Sequence, residues 1–436
     1  MFAAFRGLGD GLEARWRALD YAEDAFPALA AEALRHADLP ARLRLADVLL
    51  EAVSSQRLPW QRDPASRFGD PALTLYDGAR FYIDVYVWFS STTALHQHAF
   101  AGAFQVLEGA SIHGHYAFST TREVNPHFRL GRVGLLKCEV LERGAVQPIV
   151  PGSAYIHRLF HLDQPSATIV VRTAGSPAHQ PQFSYDPPCV AYDPFFEEAT
   201  STKQLQCLAA LFRGSGSSTG EATEPTPAVA AACAWLSAAD LHTAFRILSA
   251  ARRFGARGDL GRHFGVSDDD RARRFRQLLA AARSRHGAVI DELAAVFAEQ
   301  ERLEYLVAQR GNVTDPEHRF FLALLLNVDD RESILALVGR RHPGEEPRAK
   351  VLGWIRALAH TRVFGAAVPN ALGIAGFDDF DLLIVEQLLA GAGDAAIAGA
   401  LLPDGGGSTE EQAGLAQRVA KLRAAAVLQP LLRSSA

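Results

Sequence analysis

The sequence is poor in cysteine and methionine and lacks a long apolar segment. Its 436 residues include four cysteines and one methionine, and no two cysteines form a CxxC pair. This scatter predicts reduced, mostly buried thiols instead of a disulfide framework. No run of about 18 apolar residues occurs, so no membrane-spanning helix is predicted. The first residues become charged before an apolar core forms, which argues against a signal peptide and favours a cytoplasmic protein.

A strong excess of charge of one sign is also missing. The formal net charge is −5, and charged residues make up 21% of the chain, as in ordinary globular proteins. This balance argues against a chain-wide nucleic-acid surface, and the arginine-rich piece 271–276 is interpreted as a solvated helix face. We therefore expect neither nucleic acid nor a membrane as a partner.

Hydrophobic periodicity divides the chain into regions of different structure. Helical spacing dominates the beginning, period-two alternation starts near Arg80, and only helical spacing is found towards the end. The length suits two or three domains with separate cores. The prediction is N-terminal helices (1–58), a β-rich domain (59–195), a helix with a flexible linker (196–227) and an all-helical domain of unknown role (228–436).

The β-rich domain opens with an aromatic and β-branched strand over Phe81–Phe89. Further strand-length segments follow, separated by glycine and proline turns, which predicts an all-β barrel or sandwich. The preceding segment 56–77 is predicted to be a loop, and the proline-rich segment 176–194 is predicted to end the β structure.

Histidines cluster within this domain. His96 and His98 are two residues apart, so on a strand they share one face. If His157 folds back against them, three neutral imidazoles converge, which suits a late first-row metal with open positions for chemistry. Other histidines stay open as ligands: the second pair His113 and His115, and His161 (four residues after His157).

The spacing around the first pair resembles that of the cupin superfamily, whose first motif has the form G-x5-H-x-H-x3,4-E-x6-G. Here three residues separate His98 from Gly102, and six more precede Gly109. Glycine therefore stands at the position of the carboxylate ligand, and Ser90 at that of the first glycine. The resemblance implies a jelly-roll barrel, and with the flanking helices a multi-domain α+β fold.

In lacking the carboxylate ligand, the sequence resembles the three-histidine thiol dioxygenases, which are cysteine dioxygenase-like enzymes. Their H-R-x-x-N segment is similar to residues 157–161, with His161 at the asparagine position. The resemblance covers roughly residues 60–185 and implies Fe(II) held by His96, His98 and His157. It departs from the family where four residues instead of two separate Gly152 from His157, and where Leu159 replaces the usual tyrosine.

The same resemblance implies further catalytic residues. Tyr155, two residues before His157, would have to take the role of the tyrosine that Leu159 replaces, reaching the pocket from the other side of His157. An arginine fork would hold a substrate carboxylate. Arg62 and Arg158 are the predicted catalytic arginines, and Arg172 is a further candidate.

The leading interpretation is a mononuclear non-haem iron cupin oxygenase that oxidises a small molecule with O₂, with a thiol-to-sulfinate reaction as the specific candidate. A second interpretation is a ligand-sensing or regulatory metal cupin whose helical domain mediates an interaction. A third is a non-oxygenase metal cupin, an isomerase or hydrolase that uses Zn, Mn or Ni. A homodimer formed through the helical domain is a further expectation.

Overall fold

A computed structural model describes residues 2–64, 68–89, 92–214, 226–256, 268–363, 368, 370–402 and 407–432. Ser90 and residues 215–225 of the predicted linker lie outside these ranges. Helices come first, then strands, then helices again, in the predicted order. The N-terminal helices are α1 (Phe2–Arg17), α2 (Phe26–Ala37), α3 (Leu39–Arg42) and α4 (Leu45–Ser54).

The strands form a five-stranded sheet and a closed six-stranded barrel. The sheet has the order β1-β2-β9-β4-β7, and the barrel has the order β10-β11-β6-β5-β8-β3. The ranges are β1 (Ala72–Asp77), β2 (Phe81–Trp88), β3 (His96–His98), β4 (Gly102–Glu108), β5 (Ser111–Asn125), β6 (Phe128–Leu141), β7 (Val146–Ile149), β8 (Gly152–His161), β9 (Ser166–Thr173), β10 (Ser184–Asp186) and β11 (Val190–Tyr192).

Alternation along the strands gives the β domain an inside and an outside. On β2, Ile83 and Val85 pack against the N-terminal helices. The alternate residues Tyr86 and Trp88 pack in the interior instead, in a cluster that also contains Leu159 of β8. Side chains two residues apart share a face, so this one strand supplies both cores. The predicted cupin-type barrel with helices before and after it is confirmed.

The helical region packs against the other side of the barrel. Its core cluster includes Ile112 of β5 and Phe160 of β8. A local signal starts one of its helices: the Asp315 carboxylate accepts hydrogen bonds from the backbone N–H groups of Glu317 and His318, in a helix that begins with Pro316. The ranges are α5 (Ala199–Gly214), α6 (Pro227–Leu236), α7 (Leu241–Ala256), α8 (Asp268–His286), α9 (Val289–Asn312), α10 (Pro316–Asn327), α11 (Arg331–Arg341), α12 (Pro347–His360), α13 (Asp379–Leu389), α14 (Asp394–Leu401), α15 (Thr409–Ala424) and α16 (Gln429–Leu432).

Two segments predicted to lack β structure contain strands. The expected loop 56–77 includes β1, which pairs with β2. The proline-rich segment 176–194 includes β10 and β11, which close the barrel between β3 and β6. Strands β10 and β11 are three residues long, too short for period-two alternation to be recognised. Within the described ranges, no helix has the length and apolar character needed to cross a membrane.

Candidate metal centre

Three histidines meet in the barrel interior, as predicted. His96 and His98 lie on β3, and His157 lies on the neighbouring antiparallel strand β8, directly opposite His96. Directly opposed residues of paired strands point to the same face, so the register brings the rings together. One nitrogen of each imidazole lies within 4.8 Å of the other two, and all three side chains are buried.

The spacing of the donor atoms fits a bound metal ion. His98 Nε2 and His157 Nε2 are 2.9 Å apart. Metal–imidazole bonds are about 2.0–2.1 Å long, the value for zinc, so two nitrogens at right angles around one ion are about 2.9 Å apart. At a tetrahedral angle the separation would be about 3.4 Å. The distance is short enough for two nitrogens on one ion, and without an ion the same two atoms share a hydrogen bond.

Burial keeps these imidazoles neutral. Loss of hydration lowers the pKa of His96, and it lowers the pKa values of His98 and His157 well below the ordinary value. A neutral imidazole has a lone pair free for a metal ion, so the site requires no deprotonation at neutral pH.

The position of the missing carboxylate is closed to any side chain. Gly102 begins β4 and pairs with Arg172 on β9. A Cβ atom at Gly102 would lie 2.1 Å from the carbonyl oxygen of Val171, far inside van der Waals contact. Glycine is therefore required by the close approach of the two backbones. Position 102 cannot supply a carboxylate ligand.

The second ring nitrogens of two candidate ligands have partners. His96 Nδ1 lies 2.8 Å from the carbonyl oxygen of Ala94, and His157 Nδ1 lies 3.1 Å from His113 Nε2. His98 Nδ1 is buried without a hydrogen-bond partner among the described residues. Such contacts fix the tautomer and orientation of a metal-binding histidine. His96 and His157 are thereby set to present Nε2 to an ion.

The other candidate histidines lie beside the centre or away from it. His113 contacts His157 through the ring nitrogens, and the His115 ring is 4.3 Å from the His113 ring. His161 lies deeper, stacked on Trp88, with its Nδ1 against the hydroxyls of Ser111 and Ser166. His113 and His115 thus neighbour the cluster, while His161 belongs to a separate polar contact.

Tyr155 faces the centre from the same side of β8 as His157. Its ring centroid is 4.7 Å from that of His157, and its hydroxyl is 3.4 Å from His113 Nε2. Burial raises the pKa of the Tyr155 hydroxyl, so the group stays protonated at neutral pH. It can donate a hydrogen bond to a molecule held beside His157.

Neither of the two arginines predicted to be catalytic reaches the three histidines. Arg158 lies on the outer face of β8, where its guanidinium donates to Tyr116 Oη, the carbonyl of Leu326 and Asn327 Oδ1. Strand alternation separates it from His157, so it joins the barrel to the helices instead of facing the centre. Arg62 is bound to the Asp77 carboxylate, 2.6 Å away.

Arg172 is the arginine beside the centre. Its guanidinium carbon lies 3.7 Å from the ring centroid of Phe100, and that ring is 4.4 Å from the His98 ring. Arg172 Nε is buried without a hydrogen-bond partner in the part of the chain that the structure describes. The positive charge also contributes to the lowered pKa of His98. Sequence spacing could not rank Arg172 above Arg62, because strand facing decides which guanidinium points inward.

Comparison with known proteins adds a partial structural likeness. No protein-family model matches the sequence, and no curated protein matches it. A solved hydroquinone 1,2-dioxygenase from Sphingomonas sp. TTNP3 is 13% identical, covers 26% of this chain and 70% of its own, and has a TM-score of 0.20. The DMSP lyase DddQ from Ruegeria pomeroyi DSS-3 is 16% identical over 33% and 66% of the two chains, with a TM-score of 0.20.

A recombinant oxalate oxidase in complex with glycolate is similarly distant, at 16% identity over 35% of this chain and 74% of its own, with a TM-score of 0.20. Scores and identities this low carry no argument about activity. The chain's own strand order and buried histidines carry the conclusion: a cupin-type barrel with a possible three-histidine metal site.

Proposed function

We propose that the protein is a mononuclear non-haem iron oxygenase that oxidises a small molecule with O₂. The observation that carries the proposal is the set of three buried, neutral imidazoles beside a carboxylate position closed at Gly102. Imidazoles hold Fe(II) without cancelling its charge, and three ligands leave room for both substrate and O₂. Bound iron would supply O₂ activation and direct coordination of a substrate atom.

The surrounding residues support a small anionic substrate, for which a thiol that carries a carboxylate is the specific candidate. Arg172 offers a guanidinium close to the histidines, suited to a carboxylate. The protonated hydroxyl of Tyr155 can donate a hydrogen bond to a substrate atom beside His157. The aromatic interior around Phe104 and Trp88 excludes water from the reacting molecule.

The test is anaerobic purification, loading with Fe(II), and measurement of O₂ uptake with a panel of small thiols. The panel pairs each carboxylate-bearing thiol with its amine-only analogue. We expect thiol-dependent O₂ consumption with a sulfinate product, and a rise in KM for the carboxylate-bearing thiols in Arg172→Met. The matched control is Arg132→Met, an exposed arginine on β6. Iron binding without O₂ consumption on any thiol would overturn the thiol proposal.

A second candidate function, a ligand-sensing metal cupin, is favoured by one observation. Arg158 follows the candidate ligand His157 directly and is bonded to Leu326 and Asn327 at the end of α10. A change at the metal centre could thereby reach the helical region through two adjacent residues of β8. Retained metal without turnover, together with a ligand-dependent change in hydrogen exchange at α10, would favour this function over the oxygenase.

Turnover with Zn, Mn or Ni in the absence of O₂ would instead indicate the isomerase or hydrolase alternative. The donor set does not choose between these ions and iron by affinity alone. The metal panel therefore belongs in the same experiment, with O₂ consumption and product identity as separate readouts.

A further inference from the structure

His157 is the start of a chain of polar contacts that leads away from the metal centre. Its Nδ1 lies 3.1 Å from His113 Nε2, and His113 Nδ1 lies 3.6 Å from Glu139 Oε1. Strand register builds this arrangement, because His113 on β5 stands directly opposite Glu139 on β6. The His113 side chain is completely buried, whereas Glu139 reaches the barrel surface.

Metal binding at His157 fixes the direction of every contact in this chain. If His157 presents the Nε2 lone pair to an ion, its proton must be on Nδ1, which then donates to His113 Nε2. The neutral His113 ring must carry its own proton on Nδ1, the nitrogen that faces Glu139. That nitrogen has no hydrogen-bond partner among the described residues other than this carboxylate at slightly longer range.

The end of the chain is an ionised carboxylate. The contact with His113 and the nearby ammonium of Lys137 lower the pKa of Glu139 to about 2. Lys137 Nζ binds the other oxygen, Oε2, at 2.7 Å, while Oε1 faces His113 Nδ1 and also accepts a hydrogen bond from Gln147 Nε2 at 3.4 Å. A negative charge therefore lies two imidazoles away from a centre whose own carboxylate position is closed at Gly102.

We propose that Glu139 acts through His113 as a positioning pair for His157, holding its Nε2 towards the metal and increasing its basicity. The proposal rests on the proposed function only in taking His157 as a metal ligand. The Glu139 carboxylate acts on the metal indirectly, through the imidazoles of His113 and His157. In the cupin motif, by contrast, a carboxylate coordinates the metal directly. His113 and Glu139 themselves bind no ion.

The test measures Co(II) affinity and the Co(II) d–d absorption spectrum of the full-length protein, by competition with a chelator. Removing a group that hydrogen-bonds to a metal-binding histidine typically weakens metal binding about 10–100-fold. We expect His113→Phe, which keeps a ring of similar size, to weaken binding within that range and shift the spectrum. Glu139→Gln should weaken binding about 10-fold, and Glu139→Asp should restore part of the loss.

The matched control is Glu123→Gln, a carboxylate on β5 that is exposed, paired with Arg129 and eight residues from His115. Its Co(II) affinity should equal that of the unsubstituted protein. If His113→Phe fails to fold, Glu139→Gln remains informative, because the Glu139 side chain is partly exposed and does not pack in a hydrophobic core.

Two outcomes contradict the proposals and can be told apart. Unchanged affinity and spectrum in folded His113→Phe and Glu139→Gln would overturn the positioning role while leaving the metal centre intact. An unsubstituted protein that binds no Co(II) would overturn both the positioning role and the proposed function.

Discussion

The barrel interior and the contact between barrel and helices both bury polar side chains, but they treat them differently. Arg310 of α9 is completely buried, and its guanidinium donates to the carbonyl oxygens of Phe89, His161 and Asp163 at 2.6–2.7 Å. In the interior, by contrast, His98 Nδ1 and His115 Nε2 are buried without a hydrogen-bond partner among the described residues.

Buried polar atoms normally find partners, because an unpaired one costs about 1–3 kcal/mol. Arg310 meets that rule, and so its burial stabilises the docking of the helices on the barrel. The interior histidines break it, which is expected where residues are retained for a ligand at the expense of stability. The comparison predicts that substitutions in the first region lower stability, while substitutions in the second lower metal binding.

The largest effect on stability is expected from Arg310→Met. The carbonyl oxygens of His161 and Asp163 would lose the Arg310 donor, while that of Phe89 keeps the Gln164 amide, so the free energy of unfolding should fall by about 3–5 kcal/mol. Chemical denaturation measures the change, with Arg340→Met, an exposed arginine on α11, as the control. A loss below about 1 kcal/mol would show that water replaces the guanidinium and that the contact is not a stabilising one.

Gly102→Ala should lower the free energy of unfolding by about 1–3 kcal/mol, because the new methyl group would overlap the carbonyl oxygen of Val171. Gly134→Ala on β6 is the matched control, since a Cβ there meets no atom within 4 Å. That control should be neutral or slightly stabilising. Equal stabilities of the two variants would refute the claim that the carboxylate position is closed.

Asp186→Asn should have an effect that depends on pH. Asp186 of β10 accepts a hydrogen bond from Gln300 of α9, and burial raises the pKa of its carboxyl group to about 6. The folded protein thus binds the proton more tightly than the unfolded chain, so stability falls as the pH rises from about 4 to about 6. At pH 8 the variant should be more stable than the unsubstituted protein by up to about 3 kcal/mol, because about two pKa units separate the folded and unfolded states.

The measurement is denaturation of both proteins at pH 4 and at pH 8. Below about pH 4 the carboxyl group is protonated in both states, so the two proteins should have nearly equal stabilities. A variant that is less stable at pH 8 would show that the charged carboxylate stabilises the contact between barrel and helices.

The smallest effect on stability is expected from His98→Phe in the metal-free protein. His98 Nδ1 has no partner to lose, and the substitution removes the hydrogen bond that His98 Nε2 shares with His157, so the free energy of unfolding should fall by about 1 kcal/mol. Metal binding should nevertheless be abolished, which thermal denaturation with and without Co(II) would reveal. A loss above about 3 kcal/mol would place His98 with Arg310 among residues retained for stability.

Much of the fold was predictable because the patterns are long. The alternation along β2 and the helical spacing in residues 228–436 extend over enough residues to identify strands and helices. Strands β10 and β11 were missed because three residues contain too little alternation, and the prolines around them favour a loop. They are strands because barrel neighbours β3 and β6 provide hydrogen-bonding partners.

The candidate site was predictable to the level of the three histidines, because motif spacing and strand period determine which residues share a face. The strand period argues against Arg158 as a residue of the centre. Its position next to His157 in the sequence puts it on the opposite face of β8, and tertiary packing against α10 decides its partners. The contact of His113 with Glu139 depends on the register of a long hairpin, which no local pattern specifies.

The most direct test of the account is the metal content of the anaerobically purified protein and of a His96→Ala/His157→Ala double variant, each loaded with Fe(II) and freed of excess ion. We expect about one equivalent of iron in the unsubstituted protein and almost none in the folded double variant. A double variant that keeps a full equivalent would contradict the assignment of these histidines as ligands and direct attention to His113 and His115.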